Sequence, residues 1–416
     1  MKCRNRFLTR VTPLVAMLCF AMCASSAVAA TQYKVLYNFV YGADGFGPEA
    51  TLVFDSSGNL YGTTVAGGTG CLRPGCGVVF ELSPGLNGSW GESPIYSFNG
   101  SAGSSSYTPV VFDSHGNLYG STESGGSDSE GTVFELTPGS GGAWTEIVLN
   151  SFTGGVGGDQ PLSGITLDTS GHLYGTASAG GLNGGGIAFR MGGGGLPVQA
   201  SVLHSFGGGT DGGQPSGSLA SDGSGNLYGT TWAGGAFKLG CVFELVRDPL
   251  SGDWTETVLL SFNGSDGANP YGGVIIDAAG NLYGTTYAGG SDGVGTVFKL
   301  SASSGGNWSE SVLHSFATGN GDGGNPYSGV TFDPQGNLYG ATNSGGSGGY
   351  GTVFRLTPVP AGPWIETILY GFTGRLDGGW PVGGVVLDSA GNIYGTTCMG
   401  GTGGFEYGGV AFEITP

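Results

Sequence analysis

The chain is poor in charge and poorest in positive charge. Only 10% of its 416 residues are Asp, Glu, Lys or Arg, and twelve basic residues face thirty acidic ones. That balance sets aside nucleic acid and anionic membrane surfaces as partners, because neither is held without clustered basic side chains. Histidine occurs four times, at His115, His172, His204 and His314, each in a turn or an outer-strand position. There is no nucleophile elbow of the strand–turn–helix kind, no His-Glu-x-x-His pair and no phosphate loop. No stretch carries apolar residues at helical spacing, which excludes a helical architecture. No apolar segment follows the first thirty residues, so no membrane span is expected in the mature chain.

Glycine is abundant, with 91 residues, about three times the usual share. Disorder does not follow from it, because 38% apolar and 11% aromatic residues supply a core. The N-terminus reads as a secretory signal over 1–29. Lys2, Arg4, Arg6 and Arg10 give the positive start, Val11 to Cys23 the apolar stretch, and Ala27-Val28-Ala29 the small-x-small cleavage site. The mature chain then holds eight basic and thirty acidic residues, a net charge of −22, and is expected to be secreted, extracellular or periplasmic, and monomeric. Of seven cysteines four remain. Cys71 and Cys76 bracket a short loop and are expected to form a disulfide in that compartment. Cys241 and Cys398 have no obvious partner and read as buried small residues.

The organising feature is a repeat. Gly280-Asn281-Leu282-Tyr283-Gly284-Thr285-Thr286 is one of seven near-copies, the others beginning at Gly58, Gly116, Gly171, Gly225, Gly336 and Gly391. Each unit of about 55 residues reads as four short strands separated by Gly, Asp and Ser turns. Four antiparallel strands repeated seven times predict a seven-bladed β-propeller over 30–416, all-β. The ends support a closed ring rather than an open solenoid. One extra strand, 33–39, precedes the first unit, and the last unit stops after three strands. The N-terminal strand is therefore expected to complete the seventh blade. The third unit is the most degenerate: His172 replaces the Asn, and Gln199 stands near where Trp belongs.

Seven copies allow comparison within one chain. Asp55, Asp113, Asp168, Asp222, Asp277, Asp333 and Asp388 recur three residues before the turn glycine and read as structural aspartates that accept backbone N–H bonds. The Tyr of each motif and five Trp residues that open outer strands read as packing between blades. A second set, Asp44, Asp211, Asp266, Asp322 and Asp377, sits in the loops that lead into inner strands. These read either as turn residues or as carboxylates ringing one mouth of the channel, where they are candidate ligands for Ca²⁺. The positions that break the symmetry are the candidate ligand contacts: Arg73, Glu123, Trp232, Tyr287, Arg375, Trp380 and Glu406.

Units such as Gly-Asn-Leu-Tyr-Gly-Thr-Thr, then Gly-Thr-Val-Phe-Glu-Leu-Thr-Pro, then Trp-x-Glu-x-Val-Leu-x-Ser-Phe resemble the GloVer tandem repeat of exported bacterial choice-of-anchor proteins. The resemblance runs from Tyr33 to Pro416 and implies export. It implies no reaction, so it carries over no catalytic residues. The strand pattern also looks like that of NHL-type propellers. Near-equal blades without a catalytic constellation favour a secreted binding or interaction module, with a polysaccharide or a protein as its ligand. The alternative is a metal-assisted enzyme acting on carbohydrates or lactones, using loop carboxylates and Glu123 or Glu406 as acid or base.

Overall fold

A computed structural model describes residues 31–72, 74–192, 199–303, 305–317, 319, 321–403 and 408–416. The expected secretory signal, 1–29, and Arg73 and Glu406 lie outside the described residues. Among the described residues there is no α-helix, and the strands form seven antiparallel four-stranded sheets. The fourth sheet carries an extra strand at Gly213–Pro215, and a small separate ribbon pairs Gly323–Gly324 with Ser344–Gly345. No helix among these residues is long and apolar enough to cross a membrane.

The fifth blade shows the plan. Ile275–Ile276, Leu282–Thr286, Thr296–Ala302 and Trp308–Ser315 pair in chain order. Asp277 sets the first turn: Oδ1 accepts the N–H groups of Ala279 and Asn281, and Oδ2 accepts Asn281 Nδ2 and the Tyr283 hydroxyl. The same bonds recur at the other six turn aspartates. In the third blade His172 Nδ1 lies 2.8 Å from Asp168 Oδ2 and takes the place of the Asn amide.

The outer strands depart from plain alternation. In all seven, one residue is skipped in the pairing, for example Leu313 between Val312, opposite Phe298, and His314, opposite Val297. Such a bulge kinks the strand. It leaves the following residues, His314 among them, beside the loop that enters the next blade.

The ring closes as the strand count predicts, with the pairing one residue earlier than expected. Gln32–Asn38 pairs with Val410–Thr415, Tyr33 opposite Ile414. Seven separate core clusters form, one between each pair of neighbouring blades, including the pair of the seventh and first. Each centres on two phenylalanines, one ending an outer strand and one in the next blade's third strand. Their centroids lie 4.9 Å (Phe39–Phe80) to 5.3 Å (Phe372–Phe412) apart. Such contacts contribute about 0.5–1.5 kcal/mol each beyond the area they bury.

The five outer Trp residues pack across junctions against the motif Tyr of the preceding blade, as Trp308 does against Tyr228 at 6.2 Å. Two junctions lack this Trp, between blades two and three and between blades six and seven. At both, a groove opens beside the tyrosine, lined by Tyr119 and Glu135 at one and by Tyr339 and Asp388 at the other.

The disulfide between Cys71 and Cys76 is present, with Cα atoms 5.6 Å apart. Cys241 is buried and Cys398 half-buried, both as free thiols.

Candidate functional site

A second recurrent connection builds the channel mouth. The loop entering each inner strand places one residue at positive φ: Gly47, Ser105, Gln160, Gln214, Asn269, Asn325 and Trp380. Its N–H donates to the preceding blade, as Asn325 does to Val294 O at 2.6 Å and Trp380 to Tyr350 O at 2.9 Å. In the fifth and sixth blades the Asn amide also reaches that blade, Asn269 Nδ2 to Trp232 O and Asn325 Nδ2 to Tyr287 O. Glycine, Asn and small polar residues tolerate this backbone, whereas a bulky aromatic is an outlier there. Trp380, at φ +55 and 39% exposed, is that outlier. Strain of this kind is retained where surrounding structure imposes it, and it concentrates at functional sites.

Two residues further on, each inner strand points a side chain at the ring axis. In blade order these are Glu49, Tyr107, Leu162, Ser216, Tyr271, Tyr327 and Val382, and all seven line the central channel. The channel is narrow because glycines let inner strands touch. A Cβ on Gly273 would lie 2.2 Å from Ser218 O, and one on Gly272 2.3 Å from Gly329 N. Above this constriction the mouth opens into a cavity of about 420 Å³ lined by Glu49, Tyr107, Leu162, Tyr271, Tyr287, Tyr327, Asn343, Trp380, Val382 and Cys398.

The mouth has two unlike sides. Blades four to six supply a closed cycle of rings: Trp232–Tyr271 at 5.7 Å, Tyr271–Tyr327 at 5.0 Å, Tyr327–Tyr287 at 5.0 Å and Tyr287–Trp232 at 5.6 Å. Blades one and two supply Glu49, Tyr107 and Glu123. Neither carboxylate has a hydrogen-bond or ion-pair partner among the described residues, and no Lys or Arg among them lines the cavity. Burial, with the nearby Glu123 adding to it, pushes Glu49 up to about 7. Burial also raises Glu123. The Tyr107 hydroxyl is pushed up to about 12 by burial and then by these two acids. Burial likewise pushes the Cys398 thiol up to about 12, which leaves it protonated and unreactive at neutral pH.

Of the residues singled out by sequence, Glu123, Trp232, Tyr287 and Trp380 gather around this mouth. Arg375 does not: it lies in the loop before the seventh blade's inner strand, its N–H 3.3 Å from Asp377 Oδ1. The five loop aspartates do not line the axial cavity either. Each sits at the end of an outer strand and bonds within its own loop or to that strand. Asp44 accepts the Tyr37 hydroxyl at 2.8 Å, Asp211 the Gly207 N–H at 2.7 Å, and Asp322 the Ala317 N–H at 2.9 Å. Asp266 accepts the Asn263 N–H at 2.8 Å and Asp377 the Tyr370 hydroxyl at 3.0 Å. Their hydrogen bonds are those of turn aspartates.

Glu49, Tyr107, Tyr271, Tyr327 and Asn343 were not singled out by sequence, and Cys398 was read only as a buried small residue. For the first four the signal was present: the residue six before each turn aspartate is the variable column of an otherwise regular repeat.

The family model described as Gloeobacter/Verrucomicrobia repeat matches residues 24–189, 142–321 and 306–416. No curated protein matches the chain. Among solved structures it is similar to a candidate 6-phosphogluconolactonase from Bacteroides uniformis, at 14% identity and TM-score 0.49, over 77% of this chain and 83% of that one. It is also similar to a protein of unknown function from Dyadobacter fermentans, at 12% identity and TM-score 0.43, over 92% of this chain and 99% of that one.

Proposed function

The chain belongs to the Gloeobacter/Verrucomicrobia repeat family, and from that premise we propose that it is an exported binding propeller whose mouth takes a polyhydroxy ligand, an oligosaccharide segment. The observation that carries the reading is the pairing of an aromatic wall with the unpartnered Glu49 in one axial cavity, with Glu123 near it. Sugar rings offer apolar C–H faces to aromatic side chains and hydroxyls to carboxyl groups. Concave, largely apolar sites with a few convergent polar groups are the usual form of a small-ligand site. Glu49 is held near neutrality by burial, so it can donate or accept toward a hydroxyl and does not demand a cationic partner. The unpaired Glu49 and the absence of a lining Lys or Arg among the described residues disfavour an anionic ligand. Export rests on the leader-like sequence 1–29 and agrees with the Cys71–Cys76 disulfide.

The test is calorimetric titration with neutral β-linked glucose hexasaccharides, followed in parallel by tryptophan fluorescence. Saturable binding, weakened at least tenfold by Trp380→Ala and by Glu49→Gln but unchanged by Arg375→Ala, is the expected result. Heats that stay flat across the panel, or binding indifferent to Trp380→Ala, would remove the mouth as the sugar site.

A further inference from the structure

The junction of blades five and six carries a group of side chains that the mouth does not use. His314 comes from the bulged outer strand of blade five, Asp322 from the loop that follows, and Glu366 from the outer strand of blade six. His314 Nε2 lies 3.3 Å from Asp322 Oδ2 and 3.5 Å from Glu366 Oε1. One donor atom from each of the three lies within 4.8 Å of the others. Yet His314 Nε2 and Glu366 Oε1 are both shielded from solvent and make no hydrogen bond. Two carboxylate oxygens thus face one ring nitrogen from two different blades at contact distance.

We propose that His314 Nε2, Asp322 Oδ2 and Glu366 Oε1 hold one divalent transition-metal ion of zinc size, which ties blade five to blade six. Two arguments support the assignment. First, the two distances from Nε2, 3.3 and 3.5 Å, fit: bonds of about 2.0–2.2 Å from nitrogen and oxygen to tetrahedral zinc put neighbouring donors ~3.3–3.5 Å apart. Second, the donor set fits. Imidazole with carboxylates suits zinc-like ions, whereas Ca²⁺ takes six to eight oxygens and gains little from a ring nitrogen. Asp322 is already oriented for the task, since its two oxygens accept the N–H groups of Ala317 and Gly323. Such outer bonds fix a ligand's direction. The fourth position is left for water.

The chain contains its own control. His204, Asp211 and Glu256 occupy the equivalent places at the junction of blades three and four. There His204 Nε2 lies 3.6 Å from Asp211 Oδ2, and no contact within 4.0 Å joins His204 to Glu256. The remaining junctions have Tyr, Asn or Leu in place of the His, as at Asn150 and at Leu260 beside Asp266.

The experiment is calorimetric titration of the untagged, chelator-treated full chain with ZnCl₂ and separately with CaCl₂. One saturable Zn²⁺ site is expected, weakened at least tenfold by His314→Ala and by Glu366→Gln, unchanged by His204→Ala, with no Ca²⁺ heat. Circular dichroism checks that each variant is folded. If His314→Ala fails to fold, Glu366→Gln decides alone. An absence of saturable Zn²⁺ binding, or binding that survives substitution in a folded variant, would overturn the assignment and leave the group as an ion-paired histidine. The sugar titration above is read independently, because none of these three residues lines the mouth.

Discussion

Two glycines of the repeated motif are required for different reasons, and a mutant cycle separates them. Gly280 sits at φ +79, and a Cβ there would meet nothing within 4 Å. Its requirement is conformational. An L-residue in the left-handed region costs roughly 1–2 kcal/mol, and asparagine tolerates it best. Gly284 has no positive φ, but its Cβ would lie 2.7 Å from Phe298 Cζ, 3.0 Å from Cε1 and 3.3 Å from Val274 Cγ1. Favourable carbon contacts begin near 3.5 Å. The Phe298 ring has nowhere to retreat, being fully buried and packed on Phe262 at 5.2 Å. Overpacking of this kind costs about 1–3 kcal/mol, less about 0.4–1 kcal/mol that a Gly-to-Ala change recovers from the unfolded chain. Gly280→Ala and Gly284→Ala are therefore expected to lose similar stability, about 1–2 kcal/mol each. The partner mutation tells them apart. Phe298→Leu should relieve Gly284→Ala, with a coupling of about 1 kcal/mol or more, and should add to Gly280→Ala within about 0.5 kcal/mol. Gly280→Asn should restore most of the loss at the first site, and Gly284→Asn should restore none at the second. Urea unfolding followed by tryptophan fluorescence and circular dichroism measures all of these. Strict additivity of Gly284→Ala with Phe298→Leu would refute the steric account.

A threonine latch offers a gain of stability. Thr285 Oγ1 donates to Ser328 O at 2.7 Å across a junction, and Thr63, Ser121, Thr176, Thr230 and Thr396 do the equivalent elsewhere. Only blade six has alanine, Ala341, at this place, so Ala341→Thr should add about 0.5–1.5 kcal/mol, read as a raised urea midpoint. No change or a loss would show that the junction cannot admit the hydroxyl.

The outer-strand acids set a pH dependence. Burial raises Glu146 and Glu310 to about 7, and raises Glu92, with help from Asp44, to about 8. Each binds its proton more tightly folded than unfolded. Their contribution is therefore complete below the unfolded value of about 4.5 and is lost as pH rises through 7 to 8. The melting temperature should fall between pH 5 and pH 8.5, and Glu310→Gln should shrink the fall. A melting temperature that rises across this range would contradict the sign.

The turn aspartates were legible because identity at seven equivalent places left few other roles, and each Asp does bond its own turn. The outer strands were legible as strands but not as bulged ones. Alternation in Trp-Ser-Glu-Ser-Val-Leu-His-Ser-Phe gives no sign that Leu313 is skipped, since a bulge depends on how the strand pairs. The loop aspartates showed the opposite problem. Recurrence left two readings open, turn residues or a ring of carboxylates at the mouth; where a loop enters a blade is fixed by three-dimensional path, and these aspartates bond within loops beside the outer strands.

Period, strand count and turn chemistry are local properties, and they determined the seven blades, the four strands in each and the shared closing blade from sequence alone. Which side chains meet across blades is not local. Residues six places before each turn aspartate converge on one axis only because seven blades close into a ring. That closure alone brings Glu49 of the first blade beside Tyr107 and Tyr327, and faces an aromatic wall with acids more than a hundred residues away. It likewise sets His314 against Glu366 across a junction. Contacts of this range depend on the angle between neighbouring sheets, and only packing of the phenylalanine pairs in the finished ring sets that angle.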